Sequence, residues 1–440
     1  MMKKLVLGAA AIVLAGGIVA CGPTSKPTET PTDVPTSTPA PAAKDVNIKV
    51  WGPDAEQTVY DWAVETYNAS QDDYNVTITF EAIGEDKADT EMTKNIQDGA
   101  TLYFYADDKT LNFLNTNSIS PVVGANATYV EDNCTEGAVA AATMGGQMVA
   151  YPVSVDNLWF AYYDNSFYSA EDVKSLETIL SKAHEAGKKV YLPVNTGWYI
   201  LPSFYSNVEL YWTMGADGKL SFTTTLDSAE AIAQSEYING LLTTYIKNGT
   251  LNIGQAMGGE SGSVYTLDGA WNYSNDKGTG YFDVLGENLT LTTTPTYKVG
   301  DRTVQMKSFL GSKLLGVNAA HDEDKVTVGH EIAKILISKE GALRRYEARQ
   351  SIPTNVEALE DARFTGNVSP TVTAIQNQSA LGGFSQAATV QGSDLWDIFE
   401  NALGKGLAGN GSENDPETGL IADWAAYLAT QANRIRALSI

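Results

Sequence analysis

Cysteine is scarce in this chain, with 2 residues in 440. Cys21 closes the apolar N-terminal stretch and Cys134 is left without a mate, so no disulfide is expected to staple the fold. The surroundings of the latter, Asn133-Cys134-Thr135, read as loop or helix surface rather than as a reactive thiol. Histidine is also rare: His184, His321 and His330 are scattered, none has a partner at metal-ligand spacing, and each is expected at the solvated surface. Neither a metal nor a cofactor is expected. Basic residues number 29 against 53 acidic ones, a net charge of −24. That balance excludes a nucleic-acid footprint and an extended one on anionic lipid, and favours an uncharged ligand. A Gly-x-Ser-x-Gly elbow, a phosphate-binding loop, an internal repeat and a second membrane span are all missing.

What is present begins with Lys3 and Lys4, a short apolar stretch, and Ile18-Val19-Ala20-Cys21. A basic start and an apolar run of this length describe an export signal, not a membrane span. The cysteine after small side chains resembles a bacterial lipobox. That resemblance implies a signal peptide over residues 1–20, cleavage before Cys21, and diacylglycerol on its sulfur, which would hold the protein on the outer face of the cell membrane. Pro23, Pro27, Pro31, Pro35 and Pro39 then recur every four residues in a Thr-rich segment. Residues 21–44 thus read as a disordered tether, extended at ~3.1 Å per residue over roughly 60–70 Å.

The remainder is longer than one hydrophobic core usually serves. Val46–Trp51 alternates as a strand, Ala55–Asn68 has a helical stripe, and Tyr74–Ala82 alternates again. A helix over Lys87–Gln97 and a buried strand at Leu102–Tyr105 follow. Strands at Met148–Val155, Leu158–Tyr163 and Lys189–Pro193 flank a helix at Ala170–Glu185, and further helices fall at Ala229–Lys247, Lys325–Ile337 and Glu417–Leu438. Strands alternating with helices at this spacing predict an α/β fold with a largely parallel sheet. Trp62, Trp159 and Trp424 are expected in the core.

Ligands of open α/β sheets bind beyond the carboxyl ends of the strands. Trp51 ends the first strand beside Asp54, and Tyr105 ends the third, followed by Asp108 and Lys109. Trp198 follows Lys189–Pro193, Trp271 sits in Asp268-Gly269-Ala270-Trp271, and Trp396 opens a helix. Flat rings beside short carboxylates suit a sugar, whose apolar C–H face packs on a ring while its hydroxyls take charged partners. A calcium site at Glu413-Asn414-Asp415 is weaker than a plain acidic loop.

Several segments together carry a family likeness. Ile48-Lys49-Val50-Trp51, Ala150-Tyr151-Pro152 with Asp156, Leu267-Asp268-Gly269-Ala270-Trp271, and Phe309-Leu310-Gly311 followed by Gly316-Val317-Asn318 resemble, in order, motifs of the extracellular solute-binding proteins of carbohydrate ABC transporters, of the maltose/maltodextrin-binding type. The resemblance implies two α/β lobes joined by a hinge around a central cleft. It assigns residues 45–154 with 297–364 to the N-terminal lobe and 155–296 with 365–440 to the C-terminal lobe. Crossings would fall near Ser154–Asp156, Thr293–Tyr297 and within Phe364–Pro370. By the same likeness Asp54, Tyr105, Asp108, Lys109, Asp156, Trp198, Trp271 and Trp396 contact the ligand, and the strand-end position adds Trp51. The implied partners are a maltodextrin-like oligosaccharide and the membrane permease subunits, with the chain a monomer and not an enzyme. Lys109 stands where the family has a clamp arginine and cannot make its two-pronged contact. A surface glycoside hydrolase acting on α-glucans, with two carboxylates ~5–10 Å apart, and the same fold serving another oligosaccharide remain open alternatives.

Overall fold

The computed structural model describes residues 42–214, 220–274, 278–366, 368–385, 398–400, 421 and 423–437. The expected signal, Cys21, most of the tether, Trp396 and the acidic loop at 413–415 lie outside them.

Strand β1 (Lys44–Gly52) runs parallel to β2 (Tyr74–Ala82), joined by helix α1 (Gln57–Ser70), and parallel to β3 (Leu102–Ala106) on its other side. These are the elements that alternation and the helical stripe predicted, with ends shifted by at most a few residues. Strand β4 (Tyr151–Asn157) belongs to this sheet and leads out of it, and β5 (Trp159–Asp164) enters a second one with β6 (Lys189–Leu192), β7 (Leu251–Ile253), β8 (Ser263–Gly269) and β9 (Leu289–Thr292). Helix α2 (Gly197–Phe204) follows β6. The second sheet has the order β7-β6-β8-β5-β9, parallel through β8 and antiparallel at β5 and β9.

Strand β10 (Ser308–Val317) returns to the first sheet, antiparallel to both β3 and β4. The hairpin Thr296–Gln305 before it packs Tyr297, Val299 and Val304 into the second lobe's core. The second crossing therefore lies on β10 rather than near Thr293–Tyr297. Helices α3 (Glu323–Ile337) and α4 (Lys339–Arg349) complete the first lobe's cover. Asp322 and Ser338 cap their N-termini, each accepting a backbone N–H. Gly341 permits the tight junction between the two helices, since a Cβ there would strike the carbonyls of Ile335 and Leu336. Gln350, at φ 61°, ends α4 in the left-handed conformation.

Each lobe has its own buried core, and a third cluster joins Leu343 and Tyr346 of α4 to Leu158, Phe160 and Tyr162 at the start of the second lobe. Trp159 and Trp424 are buried as expected. Trp62 is only half-buried, with the Arg344 guanidinium 4.6 Å from its ring centre. Two surface expectations fail. The Cys134 thiol is buried against Thr354, and burial pushes its pKa up to about 11. His330 is buried on α3, where Nδ1 meets the Tyr151 hydroxyl at 2.8 Å and Nε2 the Ser120 hydroxyl at 3.0 Å. A helical histidine facing the core is satisfied by partners remote in sequence, which local composition does not reveal. Among the described residues no helix is long and apolar enough to cross a membrane.

Candidate functional site

A cavity of ≈460 Å3 opens between the two sheets, at the carboxyl ends of β2 and β3. Where β2 stops, Ile83-Gly84 turns the chain and delivers Glu85 and Asp86 to the rim. Where β3 stops, a short turn at Asp107–Lys109 delivers Asp108 and Lys109. The turn is fixed from behind: the Asp107 carboxylate accepts the Ser312 N–H of β10 at 2.9 Å, and Thr110 donates to the Asp107 carbonyl at 2.7 Å. Asp108 is buried and pairs with Lys109 Nζ at 3.2 Å. Burial pushes its carboxyl up to about 6, against the pull of Lys109.

The crossings supply the floor. Lys313 on β10 and Asn157 at the end of β4 both line the cavity. Lys313 Nζ lies 3.2 Å from Asp156, which also accepts from the Ser154 hydroxyl at 2.7 Å. Burial alone would raise the Asp156 carboxyl, but the charges of Lys313 and Arg349 hold it below its ordinary value. Arg349 reaches the floor from the last turn of α4, a position that the helix dipole favours for a cation. Its guanidinium donates to Glu85 at 2.7 Å and to Glu56 at 3.4 Å. One turn earlier Arg345 grips the same Glu56 with two bonds of 2.7 and 2.8 Å. Glu85 is held below the usual carboxylate range, because Lys313 and Arg349 outweigh the effect of its burial.

The opposite wall is aromatic and comes from the second lobe. Trp198, the second residue of α2, packs on Trp159 at 4.5 Å and lies nearly parallel to Phe309 of β10 at 6.2 Å. Trp271, in the turn after β8, is exposed and has its ring centre 6.0 Å from that of Trp198. Its ring folds back over Gly269, where any Cβ would collide with it.

Of the residues singled out from sequence, Asp108, Lys109, Trp198 and Trp271 line one cavity. Asp156 stands behind it, bound to Lys313. Asp54 is exposed in the turn after β1, outside the lining. Trp51 and Tyr105, expected to stack on a ligand, are core residues instead. The Trp51 indole donates to Glu81 at 2.6 Å, across the register that pairs them on β1 and β2. The Tyr105 ring packs on Tyr103 and Phe113. Strand β3 is covered on both faces, so every side chain from Leu102 to Tyr105 is buried whatever its parity. Glu85, Asp86, Asn157, Lys313 and Arg349 were missed. The strand-end rule that found Asp108 applies equally to Glu85. A lone lysine within the apolar strand Ser308–Val317 and a pair of arginines four apart on α4 were the remaining signals.

The described lining thus combines three carboxylates, three cations and two indoles. Opposed charges nearly cancel and leave many hydrogen-bonding atoms beside flat apolar faces. This suits a neutral polyhydroxylated molecule with one apolar face. Among the described residues no group of His, Cys, Asp or Glu could hold a metal ion.

Comparison with known proteins agrees with this architecture. A family model described as bacterial extracellular solute-binding protein matches residues 62–372. No curated protein sequence matches the chain. Among solved structures, maltodextrin-binding protein MalE1 from L. casei BL23 superposes with a TM-score of 0.72 at 20% identity, over 89% of this chain and 99% of that one. The maltose/maltodextrin-binding domain MalE from Bdellovibrio bacteriovorus, bound to maltotriose, gives 0.66 at 15%, over 88% and 99%. The GacH receptor of Streptomyces glaucescens, solved unliganded and with acarbose, gives 0.65 at 16%, over 90% and 99%. At these identities the likeness establishes a shared two-lobe fold.

Proposed function

Because the chain belongs to the bacterial extracellular solute-binding proteins, we propose that it captures a maltodextrin-like oligosaccharide in the cleft and passes it unchanged to the permease of an ABC transporter. The observation that carries this reading is the pairing of Trp198 and Trp271 across from the charged band of Glu85, Asp108, Lys109, Lys313 and Arg349. Sugar rings would stack on the indoles while their hydroxyls bond to the band. Closure of the two lobes would bring the walls together, so ligand favours the closed state. Asp54, Asp156 and Trp396 also belong to the proposed contact set, and the chain would act as a monomer. Cys21 would carry the lipid that holds the exported protein on the outer face of the cell membrane.

Calorimetric titration against a panel of α- and β-linked oligosaccharides tests the reading, and a lack of binding to every α-glucan would remove it. Trp271→Ala is expected to weaken maltotriose binding by about 1–3 kcal/mol, the range for losing a large ring at a recognition site. Its exposure predicts little change in the melting temperature.

Binding should also depend on pH through Asp108. Its folded pKa of about 6 lies above the ordinary 3.8, so between these values the native state holds a proton that the unfolded chain has released. The contribution of this group to stability therefore falls as pH rises through that window. The charged pair with Lys109 behaves oppositely, being present above pH 6 and lost below it. Affinity measured by calorimetry should accordingly be several-fold weaker at pH 5 than at pH 7.5, and Asp108→Asn should flatten that slope.

A glycoside hydrolase reading draws on the same raised Asp108 and lowered Glu85, an acid and a base in one cavity. Glu85, however, is engaged by Arg349. Incubation of the purified protein with maltodextrins should yield no shortened products, and their appearance would favour the enzyme.

A further inference from the structure

Asp268, the penultimate residue of β8, is fully buried at the foot of the aromatic wall. Its Oδ1 accepts the backbone N–H of Gly269 at 2.8 Å and the Tyr199 hydroxyl at 3.3 Å. Its Oδ2 accepts Nδ2 of Asn272 at 2.7 Å and the Tyr281 hydroxyl at 2.5 Å. Two further bonds brace the same cluster: Tyr162 donates to the Gly269 carbonyl at 2.8 Å, and Gln255 donates to the Tyr199 oxygen at 2.6 Å.

The donors are not a random set. Tyr199 follows Trp198 on α2, and their rings meet edge to face at 4.8 Å. Gly269 and Asn272 bracket Trp271. A single carboxylate therefore ties the helix that presents one indole to the turn that presents the other. A carboxylate is costly to bury unless its lone pairs are filled, and here all of the bonds that fill them lead to the ring-bearing segments or to Tyr281 beneath them. An apolar side chain at this position would break the hydrogen bonds that tie the turn to α2 and leave ring packing to hold the two segments together.

We infer that Asp268 is a positioning residue, which holds Trp198 and Trp271 in the 6.0 Å, 42° relation that ligand stacking uses. This inference rests on the oligosaccharide reading for its consequence, but its structural half is independent of any ligand. The test is a double-mutant cycle on the full chain with maltotriose as probe, comparing the parent, Asp268→Ala, Trp271→Ala and the double variant. Each single change is expected to weaken binding about fivefold or more. The double variant should be no worse than about threefold beyond the weaker single, because Asp268 acts through a ring that is already gone. Asp268→Asn should rescue, since an amide can still accept from Gly269 and Tyr199 while donating to the side-chain oxygens of Asn272 and Tyr281. Losses that multiply in the double variant, or an unaltered affinity in Asp268→Ala, would overturn the inference.

Near-ultraviolet circular dichroism supplies the arm that needs no ligand. Trp271→Phe defines the contribution of that ring, and Asp268→Ala should abolish the same contribution while the far-ultraviolet spectrum stays native. Identical near-ultraviolet spectra for the parent and Asp268→Ala would overturn the inference, even if the parent bound no sugar and the oligosaccharide reading itself had failed. Should Asp268→Ala not fold, Tyr281→Phe combined with Asn272→Ala removes both donors to Oδ2 and is read by the same two measurements.

Discussion

Glu56→Ala lowers the free energy of unfolding by about 3–5 kcal/mol, the cost of breaking a buried ion pair from one side. Glu56 is fully buried and Arg345 is 2% exposed, so the guanidinium would be left charged without a counter-ion or water. The Tyr60 hydroxyl, which donates to the same carboxylate at 2.8 Å, would lose its acceptor as well. Chemical denaturation of parent and variant measures the loss. Removing both partners together, as in Glu56→Gln with Arg345→Met, should recover most of it, because the penalty belongs to the orphaned charge rather than to the missing bond. A single-variant loss below about 1 kcal/mol would show that the pair is more solvated than its geometry implies. The effect should reach the cavity too, since Arg349 divides its bonds between Glu56 and Glu85.

Trp198→Ala acts on both stability and binding. The ring is wedged against Trp159, Tyr199 and Phe309 on its inner side and beside Trp271 on the other. Its removal is expected to cost about 3 kcal/mol of stability, the low end for emptying an aromatic core site, because the ring is only partly buried. Binding of maltotriose should weaken by about 1–3 kcal/mol in addition. Trp198→Phe keeps a flat ring and should retain most of both. Calorimetry and thermal unfolding separate the two losses, and an unchanged affinity would detach this residue from the site.

Local pattern carried the fold well. Alternation marked β1 and β2, a helical stripe marked α1, and the strand-end rule placed Trp198, Trp271, Asp108 and Lys109 at a common rim. It failed for Trp51 and Tyr105 because a strand covered on both faces hides all of its side chains, so position at a strand end does not by itself mean access. The floor was illegible for another reason. Lys313 reaches Asp156 from a strand that returns after all five strands of the second sheet, and Arg349 reaches Glu85 across an even longer separation. Such pairs are set by the crossings, and no window of sequence contains both members. His330 was misplaced likewise, because Tyr151 and Ser120, which accommodate it, lie far upstream.

Among the described residues the cavity's rings all belong to one lobe and its rim carboxylates to the other. That asymmetry separates arrival from departure. If the cleft takes a sugar as proposed, the ligand would lie down on the indoles while the halves are apart, and the association rate would be governed by a prebuilt flat face. The ionic rim would engage only afterwards, and its bonds would chiefly lengthen the residence time. Substitutions in the two walls should therefore leave different kinetic signatures even where their equilibrium costs agree.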